Sequence, residues 1–334
     1  MTQYCTVIAE AGVNHNGSLD LAYQLIDAAA AAGADYVKFQ TFRAESLVTR
    51  AAPKAEYQKA TTGNAESQFE MLKRLELPQE AFAELAEYCT QKNIQFMSTP
   101  FDIEAARMLA DLGMSTFKVS SGDLTNVPFL REIGKMGRPI ILSSGMATLG
   151  EIEEAVMALH GVGTPIEKIT LLHCTTEYPA PAEEVNLLAM NTMRAAFPGA
   201  TIGYSDHTQG IDIPIAATAL GAQVIEKHFT LDRTMTGPDH KASLEPAELT
   251  AMVTSIRRVS LALGNGRKQP TASEIPNRLI ARKSIVAARP ISRGETLSAE
   301  NLAVRRPGNG LSPARWDEVV GKPASRDYAQ DELI

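Results

Sequence analysis

Eight short runs rich in β-branched and aromatic residues punctuate the first 265 residues, and Ala-rich segments of helical period alternate with them. The runs are Thr6–Glu10, Tyr36–Gln40, Gln95–Thr99, Thr116–Ser120, Ile140–Ser144, Ile169–Thr175, Thr201–Ser205 and Gln223–His228. Helical segments include Leu19–Ala32, Gln79–Lys92, Ile103–Leu112, Leu149–Leu159, Asn186–Phe197, Ile211–Leu220 and Pro246–Leu263, several of them followed by a capping Gly. Such alternation predicts βα units around a parallel sheet. Eight units over about 260 residues fit a (β/α)8 TIM barrel, since a doubly wound sheet more often uses five or six strands.

At 334 residues the chain is longer than one compact core usually holds. Composition shifts after Leu263, at Gly264–Pro270 and again at Glu274–Asn277. This predicts a barrel domain over 1–265, a linker over 266–283 and a small β-rich domain over 284–334. Its strand-like pieces are Ser284–Ala288, Glu295–Leu297 and Leu302–Val304. Within the barrel, the polar stretch Glu45–Pro78 is long for a βα connection and reads as an elaborated loop at the strand C-terminal face.

No apolar run approaches the roughly 20 residues that span a bilayer, and the first residues lack the order of a signal peptide, so a cytoplasmic protein without a membrane partner is expected. A net charge of −7 argues against a nucleic-acid partner. Cys5, Cys89 and Cys174 form no CxxC pair and read as buried thiols of a reducing compartment.

Strand side chains alternate between faces, so parity tells which residues point into the barrel. Val37 and Phe39 should face the helices, leaving Tyr36, Lys38 and Gln40 inside. The same rule turns Glu10, Lys118, Ser120, Ser205, His207, Glu226 and His228 inward. An interior layer of two Glu, two Lys and two His is not an apolar core, and charged residues at the C-terminal ends of barrel strands read as catalytic. Taken singly, His15, His160 and His173 read as structural. Lys38 and Lys118, with the hydroxyls of Thr99, Ser121, Ser143 and Ser205, make a cradle for a phosphate and a carboxylate. His207 and His228 supply two ligands for a divalent ion, fewer than a structural zinc site needs, so water and substrate oxygens would complete the shell. Such an open site suits a Lewis-acid role for manganese, magnesium or a related ion such as cobalt.

The runs IAEAGVNHNGS, ADYVKFQTF, STPFD, FKVSSGD, ILSSGMA, HCTTEYPAP, GYSDHTQG and EKHFTLDRTMTGPDH resemble the sialic acid (nonulosonic acid) synthase family. The segment VAARPISRGETLSAENLAVRRPGNGLSP resembles its antifreeze-like (SAF) domain, so the resemblance spans nearly the whole chain. It implies condensation of phosphoenolpyruvate with an N-acylated mannosamine-type sugar, releasing phosphate and giving a nine-carbon 2-keto acid. Carried over, it assigns phosphoenolpyruvate to Lys38, Thr99, Lys118, Ser121, Ser143 and Ser205, and a divalent metal, manganese first, to His207 and His228. Glu10, Gln40, Tyr178, Glu226 and Asp239 would contact or orient the sugar and the attacking water, with Glu10 or Glu226 as the base. Arg306 would reach the active site of the other subunit of a domain-swapped homodimer.

Thr176 stands where N-acetylneuraminate synthases of this family carry Asn. The TTEYPAP form is more similar to the branch acting on 2,4-diacetamido-2,4,6-trideoxyhexoses, which makes legionaminic acid. Three alternatives are an N-acetylneuraminate synthase using N-acetylmannosamine, a Schiff-base aldolase using Lys38, Lys118 or Lys227, and a sugar- or ice-binding protein built on the C-terminal domain. Lys227 has the wrong parity for the interior, and a binding module has no need of strand ends bearing Lys, His and Glu.

Overall fold

The computed structural model describes residues 4–63 and 65–334, which divide into two compact units after Asn265. The first is an eight-stranded parallel barrel: β1 (Thr6–Gly12), β2 (Tyr36–Thr41), β3 (Gln95–Pro100), β4 (Phe117–Val119), β5 (Ile140–Ser143), β6 (Ile169–Cys174), β7 (Thr201–Asp206) and β8 (Val224–His228). Hydrogen bonds order them β3-β2-β1-β8-β7-β6-β5-β4, and β3 lies beside β4 to close the ring. Each predicted run becomes a strand with ends moved by at most two residues.

Helices fill the outer layer. Their apolar stripes meet the outward side chains of the strands: Leu25 and Ile26, Phe82 and Leu85, Leu130 and Ile133, and Met252 and Ile256 belong to one core with Val37, Phe39, Phe117 and Ile225. Several helices begin at polar caps that the sequence announces. Ser18, Asp102, Asn126 and Thr148 each accept a first-turn backbone N–H. The connection between β6 and β7 is less regular. The helix expected over Asn186–Phe197 starts only at Ala189, because Asn186 adopts a left-handed φ of 49°.

Two expectations change. The stretch Glu45–Pro78 contains the helices Glu56–Thr62 and Gln68–Leu75, and Met71 and Leu75 of the second pack with Val13 and Phe42 in a separate small core. Lys54 is buried there, with its Nζ held by Thr62 Oγ1 at 2.9 Å, the Gly63 carbonyl at 3.1 Å and Glu66 Oε1 at 3.2 Å. The segment 266–283 is likewise not a bare linker. It carries the helix Glu274–Ala281 and belongs to the second unit, because Gly308 N donates to the Leu279 carbonyl and Arg306 Nε to that of Ala281.

The second unit pairs β9 (Ser284–Ala287) and β10 (Leu302–Arg305) antiparallel, with isolated bridges at Ile291–Tyr328 and Thr296–Pro323. Ile285, Ile291, Leu297, Leu302, Val319 and Tyr328 form its core.

Candidate active site

Register sets the inward residues of four strands in two adjacent levels. Glu10 pairs with Lys38 on β2 and with His228 on β8, while Ser205 of β7 pairs with Glu226 of β8. A bulge follows Glu10, ending at Gly12 with φ 55°. A Cβ on Gly12 would lie 3.3 Å from Glu10 Oε1 and 3.4 Å from both Gln40 Nε2 and His228 Cε1. The left-handed backbone and this crowding both favour glycine at the position.

At the centre, two buried lysines converge on one carboxylate. Lys38 Nζ lies 3.7 Å and Lys118 Nζ 3.6 Å from Glu226, which also accepts a 3.1 Å hydrogen bond from Ser205 Oγ. Lys38 pairs with Glu10 at 2.7 Å and donates to Thr99 Oγ1 at 3.0 Å, and Lys118 donates to Ser143 Oγ at 2.7 Å. Gln40 Nε2 donates to Glu10 Oε1 at 3.2 Å. All four charged groups are at most 4% exposed.

Their environments push the two carboxyls apart. Burial raises Glu10 to about 7 against the opposing Lys38 ammonium, with Glu226 adding to the rise. Burial also works to raise Glu226, but Lys118 and Lys38 together outweigh it and hold that carboxyl below its usual value. Opposite shifts on neighbouring carboxyls separate a proton-exchanging group from a permanently ionised one.

His207 and His228 stand beside this cluster with ring centroids 5.5 Å apart. His207 Nδ1 meets the Thr175 carbonyl at 2.6 Å, an arrangement that makes Nδ1 the donor and leaves Nε2 with its lone pair. The Nδ1 of His228 is buried without a hydrogen-bond partner, 3.9 Å from Asp239 Oδ2. Burial lowers both imidazoles, and for His228 the neighbouring cations deepen the shift. Two neutral rings, one orphaned at a nitrogen, are a donor set a divalent ion fits. Among the described residues no group of three or more His, Cys, Asp or Glu could hold a metal, so such an ion would be left with open positions.

Tyr178 lies over His207 at 4.1 Å between centroids and edge-on to His228 at 5.6 Å. On its far side stands Tyr57, 4.9 Å away, from the helix Glu56–Thr62. Burial raises both phenols, so both stay neutral. No local pattern marks Tyr57, which lies 121 residues from Tyr178 in a stretch that reads as polar loop. Asp239 completes this wall, its carboxyl raised to about 6 by burial.

Thr176 comes to a different side. A Cβ on Gly145 would fall 2.1 Å from Thr176 Oγ1, 2.9 Å from Ser121 Oγ and 3.0 Å from Cys174 Sγ, so these groups share one spot that only glycine leaves open. Ser121 Oγ accepts from Gly145 N at 2.8 Å, whereas Thr176 Oγ1 is buried with no partner. Arg306 is exposed and belongs to the second unit. His173 Nε2 donates to the Val185 carbonyl at 2.6 Å, and Lys227 points away from the lumen, as parity requires. His15 is buried on its own loop, lowered to about 4 by that burial.

The chain matches known proteins along nearly its whole length. The NeuB family profile matches residues 25–268 and the SAF domain profile residues 282–334. The chain is 54% identical to N,N'-diacetyllegionaminic acid synthase of Campylobacter jejuni, over 98% of both chains. It is 45% identical to the enzyme of the same name from Legionella pneumophila, over 97% of this chain and 92% of that one. The crystal structure of N-acetylneuraminic acid synthetase from Leptospira borgpetersenii superposes with a TM-score of 0.72 at 38% identity, covering 82% of this chain and 90% of that one.

Proposed function

The chain belongs to the NeuB family, with a C-terminal SAF domain, and from that premise we propose that it joins phosphoenolpyruvate to 2,4-diacetamido-2,4,6-trideoxymannose to make a legionaminic-type acid. It is an enzyme that forms a C–C bond. The observation that carries the reading is the pair of buried lysines, each bonded to a hydroxyl and converging on Glu226, next to two neutral histidines.

Lys38 with Thr99, and Lys118 with Ser143, Ser121 and Ser205 nearby, receive the phosphate and carboxylate of phosphoenolpyruvate; lysine acts as a point charge and the hydroxyls fill the remaining oxygen directions. His207 and His228 would hold a divalent ion, manganese first and magnesium or cobalt as substitutes, which would supply Lewis-acid polarisation of the sugar aldehyde. Asp239 and Gln40 orient the sugar, and Tyr178 stacked on His207 closes that side of the site. Carbon 3 of phosphoenolpyruvate, a weak enol-type nucleophile, bonds to C1 of the sugar, so alignment of the two substrates contributes much of the rate. The cation that develops at C2 takes up water. Glu10, raised to about 7, accepts the proton of that water, while Glu226 stays ionised between the lysines. The C2–O bond to phosphate then breaks, phosphate leaving with that oxygen while the new C2 hydroxyl loses its proton and becomes the keto group, and the former aldehyde oxygen takes up a released proton and ends as a hydroxyl.

The aromatic pair beside the histidines supports the choice of sugar. Tyr57, packed on Tyr178, offers ring surface against which a 6-deoxy carbon and an acetamido methyl lose little by leaving water. Tyr57→Ala therefore raises KM for the sugar about tenfold, with KM for phosphoenolpyruvate within twofold of wild type in steady-state kinetics. A panel of the diacetamido sugar, N-acetylmannosamine and its 6-phosphate, each with phosphoenolpyruvate and manganese, gives the highest kcat/KM for the first. Faster use of N-acetylmannosamine would return the chain to the N-acetylneuraminate reading.

Two further features complete the proposal. The barrel unit carries 20 Lys and Arg against 31 Asp and Glu, whereas residues 266–334 carry 12 against 8, and this opposite balance supports a homodimer in which the SAF unit of one chain delivers Arg306 to the barrel of another. Three free buried cysteines and no helix, among the described residues, able to cross a membrane fit a cytosolic enzyme.

A further inference from the structure

His207 and His228 point inward, so the residues beside them point outward, and both are charged. Asp206 and Lys227 are 0% exposed and are partners in the β7–β8 register, with Lys227 Nζ 2.6 Å from Asp206 Oδ2. The carboxylate is fully engaged. Tyr204 OH donates to Oδ1 at 2.9 Å, Thr208 N to Oδ1 at 3.1 Å and Thr208 Oγ1 to Oδ2 at 3.1 Å. Lys227 also donates to the carbonyl of Thr208. Thr208 is thus held through its N–H, its hydroxyl and its carbonyl.

His207 lies between the two anchored residues. Its backbone is fixed on the outer side by Asp206 and Thr208, and its ring is fixed on the inner side by the Thr175 carbonyl. Lys227, anchored to the same carboxylate, precedes His228 in β8 and ties its backbone to that of His207. A buried ion pair is a weak source of stability, because well-packed apolar residues of similar volume often do as well. What apolar residues cannot supply is this set of directed bonds across the two strand ends.

We propose that Asp206 and Lys227 are positioning residues that lock His207 and His228 at the spacing and orientation at which they ligate one divalent ion. The inference rests on the reading of those histidines as metal ligands. Partners behind metal ligands commonly change affinity by about 10- to 100-fold when removed, and an apolar isostere pair would expose that effect without leaving an orphaned charge.

The test is manganese binding, followed by electron paramagnetic resonance of free Mn2+ with the full-length protein in the absence of substrates. The double variant Asp206→Leu/Lys227→Met weakens Mn2+ binding about 10- to 100-fold, while its Kd for phosphoenolpyruvate, measured without metal, stays within about twofold. Thr208→Val, which removes one bond to Asp206 and keeps the ion pair, weakens Mn2+ binding about threefold or more and keeps the inference testable should the double variant not fold. Unchanged Mn2+ affinity in folded variants overturns the inference alone. Absence of Mn2+ binding in the wild-type protein overturns the metal reading and this inference together.

Discussion

Glu10→Gln lowers kcat by about 10²- to 10⁴-fold, the range lost when a positioned general base is removed. At about 2.7–5.5 kcal/mol of barrel-centred transition-state stabilisation, this is a far larger effect than the side chain has on binding. Gln keeps the shape and an acceptor for Gln40 Nε2, and Lys38 loses its 2.7 Å carboxylate partner but keeps Glu226, so the phosphoenolpyruvate KM moves far less than kcat. The pH profile adds a sign. A base must be unprotonated to act, and with Glu10 raised to about 7 the wild-type kcat/KM falls as pH drops through neutrality. The variant loses that acid limb. Glu226→Gln behaves differently: it leaves Lys38 and Lys118 without their shared carboxylate and changes the phosphoenolpyruvate KM as well as kcat. A retained acid limb in Glu10→Gln, with kcat near wild type, would transfer the base to another group.

His228→Ala abolishes measurable condensation, a loss of at least about 10³-fold, since polarisation of a carbonyl by a metal is worth several kcal/mol. His207→Ala does the same, and a chelator reproduces either effect on the wild type. His228 Nδ1 has no hydrogen-bond partner to lose, so the melting temperature of His228→Ala falls only by the cost of the vacated space and the variant stays folded. Isothermal titration with Mn2+ then separates loss of metal from loss of fold. Full activity of either variant in chelator would remove the metal from the reaction.

Much of the site is legible because strand parity is strict. Lys38, Lys118, Glu226 and His228 lie on strands whose neighbours, Val37, Phe39, Val119 and Ile225, are plainly apolar, so one face had to be the chemical one. Parity also separated Lys227 from the lumen. It could not reveal the role of that outward lysine, because its partner Asp206 and the bonds to Thr208 depend on the relative register of two strands. Tyr57 was hidden for a different reason. Its helix is short and polar, and its position over Tyr178 comes from tertiary anchoring by Lys54 and from Met71 and Leu75, which no local period records. The helix Glu274–Ala281 escaped in the same way. Pro270 and Pro276 gave the segment the composition of a linker, yet proline is tolerated in a first helical turn. Thr176 was read as a marker of the sugar, and the structure sets it beside Ser121 and Gly145, a proximity that requires the β4, β5 and β6 ends to be in place.

At the core of the proposed reaction is C–C bond formation in which water attacks C2 of phosphoenolpyruvate and leaves phosphorus untouched. The most direct measurement runs the reaction with the diacetamido sugar and Mn2+ in H2(18)O and weighs both products by mass spectrometry. One phosphate is released per nine-carbon keto acid, and that phosphate is free of 18O. Phosphate carrying one 18O, or pyruvate trapped on a lysine by borohydride, would rule out attack at C2.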